Sequence, residues 1–516
     1  MSFQSSGRVL VIGLDMGDAT LIEEWSRKGI LPAFQSMMAQ GAWGRLETTA
    51  DALHTSTWPT VFTGCLPGKH GVYYPYQPRP GRQQAEHIGS GQYGAPPFWQ
   101  ILDRAGKRCI VFDAPETFPA ADFSGVQIFE WGTWAWYWKR MTAPKEMKGQ
   151  LTQKFGHYPL KLEAKRLGLA MPDRIGLYHQ LLAGIDQKAN ITKWLMENRP
   201  WDLFLVVFAE LHPAGHYLWP QGARASGEDG FWSMDGSKFD QLRDVYIAID
   251  RAVGEITKHC PDDVTVFIIS GDGVGPNHCA WHLLPQVLSR AGFTAAQGLS
   301  GPTDGGSDSK MSLLGWLRGA IPPRLRSEIA SRLPWRFRDR LALRLAAAQI
   351  DWSKTRAFAL PADLEGCIRI NLRGREPHGI VEPGDHYDDV CSELIELLEK
   401  LVNPATGRSA VRRVHRIDRL FPGEKRDHLP DLTVMWNDEA EIREVYDERL
   451  GVVSEAPIDP RTGTHFPVSF MAVKGSRSTA RRIEGGHIAD LAPTVVARFG
   501  VPCGSAMDGK VLDILP

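Results

Sequence analysis

His212 and His216 sit four residues apart in the turn HPAGH, where Pro213 and Gly215 keep the backbone close enough to aim both imidazoles at one metal ion. Asp15, His54, Asp272 and His465 carry side chains of the same use. Neutral imidazole and carboxylate are donors that zinc, manganese and iron accept. Singly, each has an ordinary explanation: an Asp after a strand caps the next helix, and a lone His packs in a core or sits on the surface. Their positions raise them together. Asp15 closes the apolar run RVLVIGLD (8–15), His212 and His216 follow DLFLVVFAE (202–210), and Asp272 closes VTVFIISGD (264–272). His465 follows Gly463 in another turn, RTGTHFP.

Those runs and KRCIVFD (107–113) are apolar throughout instead of alternating, the pattern of strands buried on both faces. Leu242, Val245, Ile249, Val253 and Ile256 recur at helical spacing and supply the crossover that a parallel strand pair needs. The predicted fold is α/β, a doubly wound, mostly parallel sheet flanked by helices. Ligands of such sheets bind beyond the carboxyl ends of the strands, so the residues above should share one crevice. CIRINL (367–372), LTVMW (432–436) and VSFMAV (468–473) read as further strands of the same sheet or its edge, and IADLAPTVVARFG as a terminal helix.

A chain of 516 residues, 43% hydrophobic and 23% charged with a formal net charge of -1, has no global basic signature for a nucleic-acid polymer. An anionic ligand must therefore be bound locally. The apolar run after Arg8 is too short for a signal sequence or a transmembrane segment, which predicts a cytoplasmic protein. Seven cysteines without paired spacing suggest reduced thiols. One catalytic unit over 7–516 is expected, with two helical insertions. The first, about 129–200, opens on FEWGTWAWYWKR with four tryptophans and is placed over the sheet's edge; the second, about 298–350, carries arginines from Arg318 to Arg344 interleaved with leucines and Trp335. Ordinary packing of the aromatics and a solvated basic face are favoured there over a substrate pocket or a membrane-docking helix.

VIGLDMGD, STWPTVFTGCLPGKHGV (56–72), INLRGREPHGIVEPG (370–384), GTHFPV and DLAPTVVARFGVP together resemble the type I phosphodiesterase and nucleotide pyrophosphatase branch of the alkaline phosphatase superfamily. The resemblance implies two divalent metal ions, zinc as a rule, with manganese or iron compatible with the donors. It implies a Thr or Ser that attacks phosphorus to form a phospho-enzyme, which a metal-bound hydroxide releases. Asp15 matches the family's first-strand ligand, His216 the His after Gly215, and His465 the late His.

Three positions depart from the pattern. His212 stands where the family has Asp, and Ser270-Gly271-Asp272-Gly273 stands where it has Ser-Asp-His-Gly. Counting back from Trp58 and from Thr63 places His54 at the nucleophile; a one-residue shift would bring in Thr55, with Ser56 and Thr57 beside it. The expectation is a metal-dependent hydrolase of a phosphoric ester, a diester first, acting on a small anionic substrate. Asp15, His54 and Asp272 would hold one ion and His212, His216 and His465 the other. Attack by metal-bound hydroxide is preferred, with His54 a ligand or a nucleophile and Thr55 the alternative nucleophile. The competing readings are a redox metal in a repurposed fold, and a non-catalytic binding module. Lys69 and His70 are expected to cap and pack a helix start; His278 and His282 follow Asp272 and are candidates to join the site, although His282 begins what reads as a helix, HLLPQVLSRAG. Glu210 is a candidate to orient an imidazole. Cys65 lacks the setting for formylglycine chemistry.

Overall fold

The computed structural model describes residues 7–83, 85–89, 93–120, 122–132, 140–160, 173–220, 240–261, 263–296, 350–360, 362, 364–455, 460–475, 478–503 and 506–514. The arginines from Arg318 to Arg344 and Trp134, Trp136 and Trp138 lie outside these residues.

Among the described residues, nine strands form the central sheet: β1 (Val9–Leu14), β2 (Ala42–Gly44), β3 (Cys109–Phe112), β4 (Val126–Phe129), β5 (Met141–Ala143), β6 (Leu203–Phe208), β7 (Thr265–Ser270), β8 (Phe470–Lys474) and β9 (Arg481–Arg482). Their spatial order is β9-β2-β8-β7-β1-β6-β3-β4-β5. The middle of the sheet, β7-β1-β6-β3-β4, runs parallel, and β8 and β5 join it antiparallel on either side. Every residue of β1, β6 and β7 is buried, which is why their sequences do not alternate.

The main helices are α1 (Ala19–Arg27), α2 (Thr57–Thr63), α3 (Arg174–Asn198), α4 (Leu211–Leu218), α5 (Asp240–Lys258) and α6 (Leu491–Arg498). Leu10, Ile12 and Leu14 of β1 face a core built with α1, α3 and α5, while Val9 and Val11 face a second core built with α2 and α6. The sheet is thus covered on both faces. All five apolar positions predicted for the crossover helix are buried in α5.

Two predicted strands belong elsewhere. Gly366–Ile370 and Leu432–Trp436 pair with Ala357–Ala359 and Val411–Arg416 in a separate four-stranded antiparallel sheet. Its core, with Ile368, Leu432 and Val434 packed against Leu394 and Leu398 of the helix Asp385–Glu399, is its own. A short apolar run reports that it is buried, not which sheet buries it. The motif INLRGREPHG closes this smaller lobe by charge: Arg375 bonds Asp431 at 2.7 Å and Arg369 bonds Glu376 at 2.8 Å, all four buried.

The stretch 129–200 also differs from expectation. It does reach the sheet's edge, as β5, but α3 is a layer of the main core, burying Leu177, Leu181, Ile185, Ile191 and Leu195. Lys188 on the same helix is fully buried, with Nζ 2.8 Å from Asp113, 3.0 Å from Glu210 and 2.8 Å from the Val207 carbonyl. Asp113 also accepts the backbone N–H groups of Trp131 and Gly132 at 2.7 and 2.8 Å, and Tyr158 donates to Glu210. One ammonium therefore compensates two carboxylates at the ends of β3 and β6, the strands that lead into the crevice.

His70 is buried as well. Its Nδ1 accepts from the Val72 N–H at 3.1 Å, so Nε2 carries the proton and donates to Thr60 Oγ1, also at 3.1 Å. Burial drops its pKa from 6.5 to about 3. Lys69 pairs with Asp508. Both residues serve the fold, as the plainer sequence reading had it.

Replacing Lys188 with Met should destabilise the chain by roughly 3–5 kcal/mol in denaturant titrations, because two buried carboxylates lose their cation. A depressed folded pKa contributes stability above pH 6.5 that is lost as pH falls toward 3. The His70→Asn variant should therefore show a flatter loss of stability across that window, by up to about 1.4 kcal/mol per pH unit.

Candidate metal centre

Asp15 follows β1 directly, and its backbone N–H reaches across to the Phe208 carbonyl at the end of β6. Its carboxyl is fixed on both oxygens. The Trp58 indole donates to Oδ1 at 2.8 Å, and His212 Nδ1 lies 3.1 Å from Oδ2. Trp58 can lie there because residue 13 is glycine: a Cβ would come within 2.8 Å of the indole. Burial alone would raise the Asp15 pKa, but His212, Trp58 and His465 outweigh it and hold the carboxyl below its usual range.

His212 and His216 project from α4, immediately after β6. His465 comes from the ribbon Gly463–Phe466, which pairs antiparallel with Gly273–Pro276 beyond the end of β7. The ribbon fits against the α4 backbone because residue 463 is glycine, and residue 215 is held to glycine by Met16. A Cβ on Gly463 would lie 2.1 Å from the Gly215 carbonyl, and one on Gly215 would lie 2.8 Å from the Met16 sulfur. Ligand atoms of His212, His216 and His465 all lie within 4.8 Å of one another.

The hydrogen bonds decide which nitrogens face inward. His212 Nδ1 lies on Asp15 Oδ2, His216 Nδ1 is 2.9 Å from the Gly463 carbonyl, and His465 Nδ1 is 2.7 Å from Asp272 Oδ2. Carboxylates and carbonyls only accept, so each Nδ1 carries the proton and each Nε2 carries the lone pair. Yet the Nε2 atoms of His212 and His216 are 2.9 Å apart. Two lone pairs at that distance repel unless a proton or a cation lies between them. Two imidazoles on one ion, with bonds of about 2.0–2.1 Å at about 90–110°, hold their nitrogens about 2.8–3.4 Å apart. His212 and His216 are therefore spaced to share one divalent ion, with a His465 ligand atom within 4.8 Å of theirs. His216 is kept neutral, its pKa driven well below normal by burial and by His212, and burial with His54 lowers that of His465.

Of the two donor sets read from the sequence, His212, His216 and His465 come together as one cluster, as expected, while the other three residues are partnered differently. Asp15 and Asp272 hold the outer nitrogens of His212 and His465. His54 lies outside the three-imidazole cluster, stacked on His465 with ring centroids 4.3 Å apart and planes 23° from parallel. Its Nδ1 is 2.6 Å from Glu365 Oε1, an oxygen that also accepts the His54 backbone N–H. The Thr55 hydroxyl donates to the Tyr73 carbonyl, and that of Ser56 to the Leu53 carbonyl at 2.6 Å. Glu210 binds Lys188 and Tyr158 in place of an imidazole. His278 donates to the Asp438 carbonyl at 2.7 Å and His282 lies in the turn Trp281–Leu283; neither belongs to the imidazole cluster.

Two acidic residues were not read from the sequence. Glu116, after β3, has a left-handed backbone (φ 59°), and its buried Oε2 has no hydrogen-bond partner among the described residues. Burial and the nearby charges of Asp15 and Asp272 push its pKa well above normal. The signal was available: Glu116 lies just beyond the carboxyl end of a predicted strand. Glu365 comes from the smaller lobe, preceded by Leu364 at φ 64°, and nothing local in the sequence connects it with His54.

Residues 9–457 match the family model described as type I phosphodiesterase / nucleotide pyrophosphatase. Among solved structures, the chain is similar to an inactive form of murine ectonucleotide pyrophosphatase / phosphodiesterase 5 in complex with AMP, at 11% identity and a TM-score of 0.51, covering 98% of each chain. It is also similar to phosphonoacetate hydrolase from Sinorhizobium meliloti in complex with phosphonoformate, at 12% identity and a TM-score of 0.53, covering 97% of this chain and 100% of that one. These likenesses show the fold. No curated protein sequence matches the chain. Among the described residues no helix is long and apolar enough to cross a membrane.

Asp272→Asn should weaken metal binding about 10–100-fold, because an amide holds the His465 Nδ1 proton less firmly than a carboxylate does. Competition between the purified protein and a chromophoric zinc chelator measures this directly.

Proposed function

That the chain belongs to the type I phosphodiesterase / nucleotide pyrophosphatase family is the premise from which we propose its function, a metal-dependent hydrolase of a phosphoric ester, with a small diester as the first substrate class. The observation that carries the metal dependence is the 2.9 Å approach of the His212 and His216 Nε2 atoms, with both outer nitrogens bonded to acceptors. His212, His216 and His465 would hold the divalent ion, which would supply Lewis acidity toward a phosphoryl oxygen and toward water. The chain's own residues do the rest. Asp15, Asp272 and the Gly463 carbonyl keep the three imidazoles in the tautomer that binds metal. Asp15, Asp272 and Glu116 crowd three carboxyl groups into a buried crevice, which favours a second cation beside the first.

Substrate access is supported by a narrow cavity of about 60 Å³ that opens between the ribbon and the smaller lobe, lined by His54, His465, Glu365, Arg412, Asn437 and Thr464. Arg412 is the cation on its wall, half shared with Asp51 at 3.2 Å and Asp438 at 3.9 Å. A volume of this size suits a small group better than a nucleobase. The similar solved structures hold AMP in one case and phosphonoformate in the other.

A second reading rests on the donor set. Three nitrogens without a carboxylate among them also suit iron or copper. Elemental analysis of protein purified without added metal, together with turnover of an aryl phosphodiester, separates the two. Zinc or manganese with turnover is the expected result; one equivalent of iron or copper and no ester cleavage would sink the hydrolase reading. His216→Ala should retain the fold, lose the ion and lower the diesterase rate at least about 100-fold.

A further inference from the structure

We propose that the amino-terminal edge of the central sheet carries a second, non-catalytic site that binds a short phosphate chain, held by Lys107, Arg199 and Arg498. The site lies at the opposite pole from the imidazole cluster and stands apart from the hydrolase reading.

A cavity of about 710 Å³ opens where β1, β3 and β6 begin. Lys107 and Arg108 lead into β3, Trp201 and Asp202 into β6, and Gly7 and Arg8 into β1, while Arg199 follows α3 and Arg498 ends α6. The six residues of β1 separate this cavity from the metal crevice by about 20 Å, at about 3.3 Å per residue. One small substrate does not reach both.

Most charges on the wall are already paired. Arg8 meets Asp263 at 3.1 Å, Arg108 holds the two oxygens of Asp202 at 2.9 and 2.6 Å, and Glu197 meets His259 at 2.6 Å. Three cations remain. Lys107 Nζ lies 5.6 Å from the centroid of the Phe499 ring, Arg199 Nη2 donates to Gln150 Oε1 at 3.2 Å, and Arg498 Nε donates to Thr265 Oγ1 at 3.4 Å. Among the described residues none of the three forms an ion pair, and the buried Nε of Arg199 has no hydrogen-bond partner. All three side chains are half-buried, so solvent and salt screen them less than cations on an open surface. The carboxyl ends of α3 and α6 carry about half a negative charge each and offset about one of the three. The remaining surplus favours an anion.

The wall also selects the kind of anion. Guanidinium groups pair with phosphate oxygens two at a time, and the lysine adds a point charge. The volume falls in the range of ligand pockets and exceeds the need of a single phosphate. No ring is free to stack on a nucleobase: the Arg8 guanidinium lies 5.3 Å from the centroid of Trp201, Lys107 covers Phe499, and the two rings are only 4% and 7% exposed. Glycine at position 7 leaves room for Arg498, since a Cβ there would lie 2.5 Å from its Nη2. The recognised group is thus the phosphate chain itself, common to inorganic triphosphate and to a nucleoside triphosphate.

Equilibrium dialysis of the full-length, metal-loaded protein against inorganic triphosphate, and separately against ATP, tests the site. The expected result is one saturable site with similar affinity for both, weakened by added salt. Arg498→Ala and Lys107→Ala should each weaken binding at least about 10-fold. Triphosphate also binds divalent ions, so the His216→Ala protein, which lacks the ion, separates the two poles: binding there should be unchanged. If either alanine variant fails to fold by circular dichroism, Arg498→Gln and Lys107→Gln carry the same expectation. Absence of saturable binding at millimolar triphosphate would overturn the proposal. So would binding that disappears in His216→Ala, which puts the anion on the metal, or binding that survives both substitutions at full strength. ATP binding without triphosphate binding would overturn it as well, because the base would then be the recognised group.

Discussion

An imidazole offers one lone pair only while its other nitrogen keeps a proton, and in this protein that proton is placed by acceptors drawn from distant parts of the chain. Asp15 at the end of β1 serves His212, Asp272 beyond β7 serves His465, the Gly463 carbonyl serves His216, and Glu365 of the smaller lobe serves His54. Each acceptor is fixed by the terminus of a strand or ribbon: Asp15 and Asp272 just past one, Gly463 and Glu365 where one begins. The parallel sheet matters chiefly as the frame that ends its strands together. Its fully buried strands tolerate no slip of register, and so the side chains beyond them stay aligned.

Much of this was legible in the sequence because it depends on local pattern. Apolar runs identified the parallel strands, and the residues just past them identified Asp15, His212, His216 and Asp272. The pattern did not say which atoms would meet. Carboxylate and imidazole are both metal donors, so a list of donors does not distinguish a ligand from the residue that orients one. Asp15 and Asp272 were grouped with His54, whereas in the structure each bonds to a histidine assigned to the other ion. Glu365 was invisible for a different reason. Its partner lies 311 residues away, across the boundary between two sheets, and nothing in the surrounding ADLEGC marks it. The misplaced strands Gly366–Ile370 and Leu432–Trp436 share that cause, since burial leaves the same signature in either sheet.

Helix α3 illustrates how tertiary context overrides a reading by composition. Following an aromatic-rich stretch, it looked like an addition to the sheet; Lys188 instead makes it a partner of the strands. The same ammonium reaches Glu210, the residue that leads into α4, so the helix bearing His212 and His216 is anchored at its start by charge as well as by packing. Left-handed backbone at Met16, Asp113 and Glu116 clusters around the same strand ends, where the chain turns sharply out of the sheet. Such conformations cost of order 1 kcal/mol or more each and persist where the surroundings determine them.

The contact between Gly215 and Gly463 carries a consequence for exchange. The ribbon that holds His465 lies against the backbone of α4 with no side chain between them, and the Gly463 carbonyl is also the acceptor for His216. Peeling the ribbon away would withdraw His465 and release the His216 ring in one movement. Were an ion held among these imidazoles as proposed, its residence time would depend on how firmly the ribbon is seated as much as on bond strength.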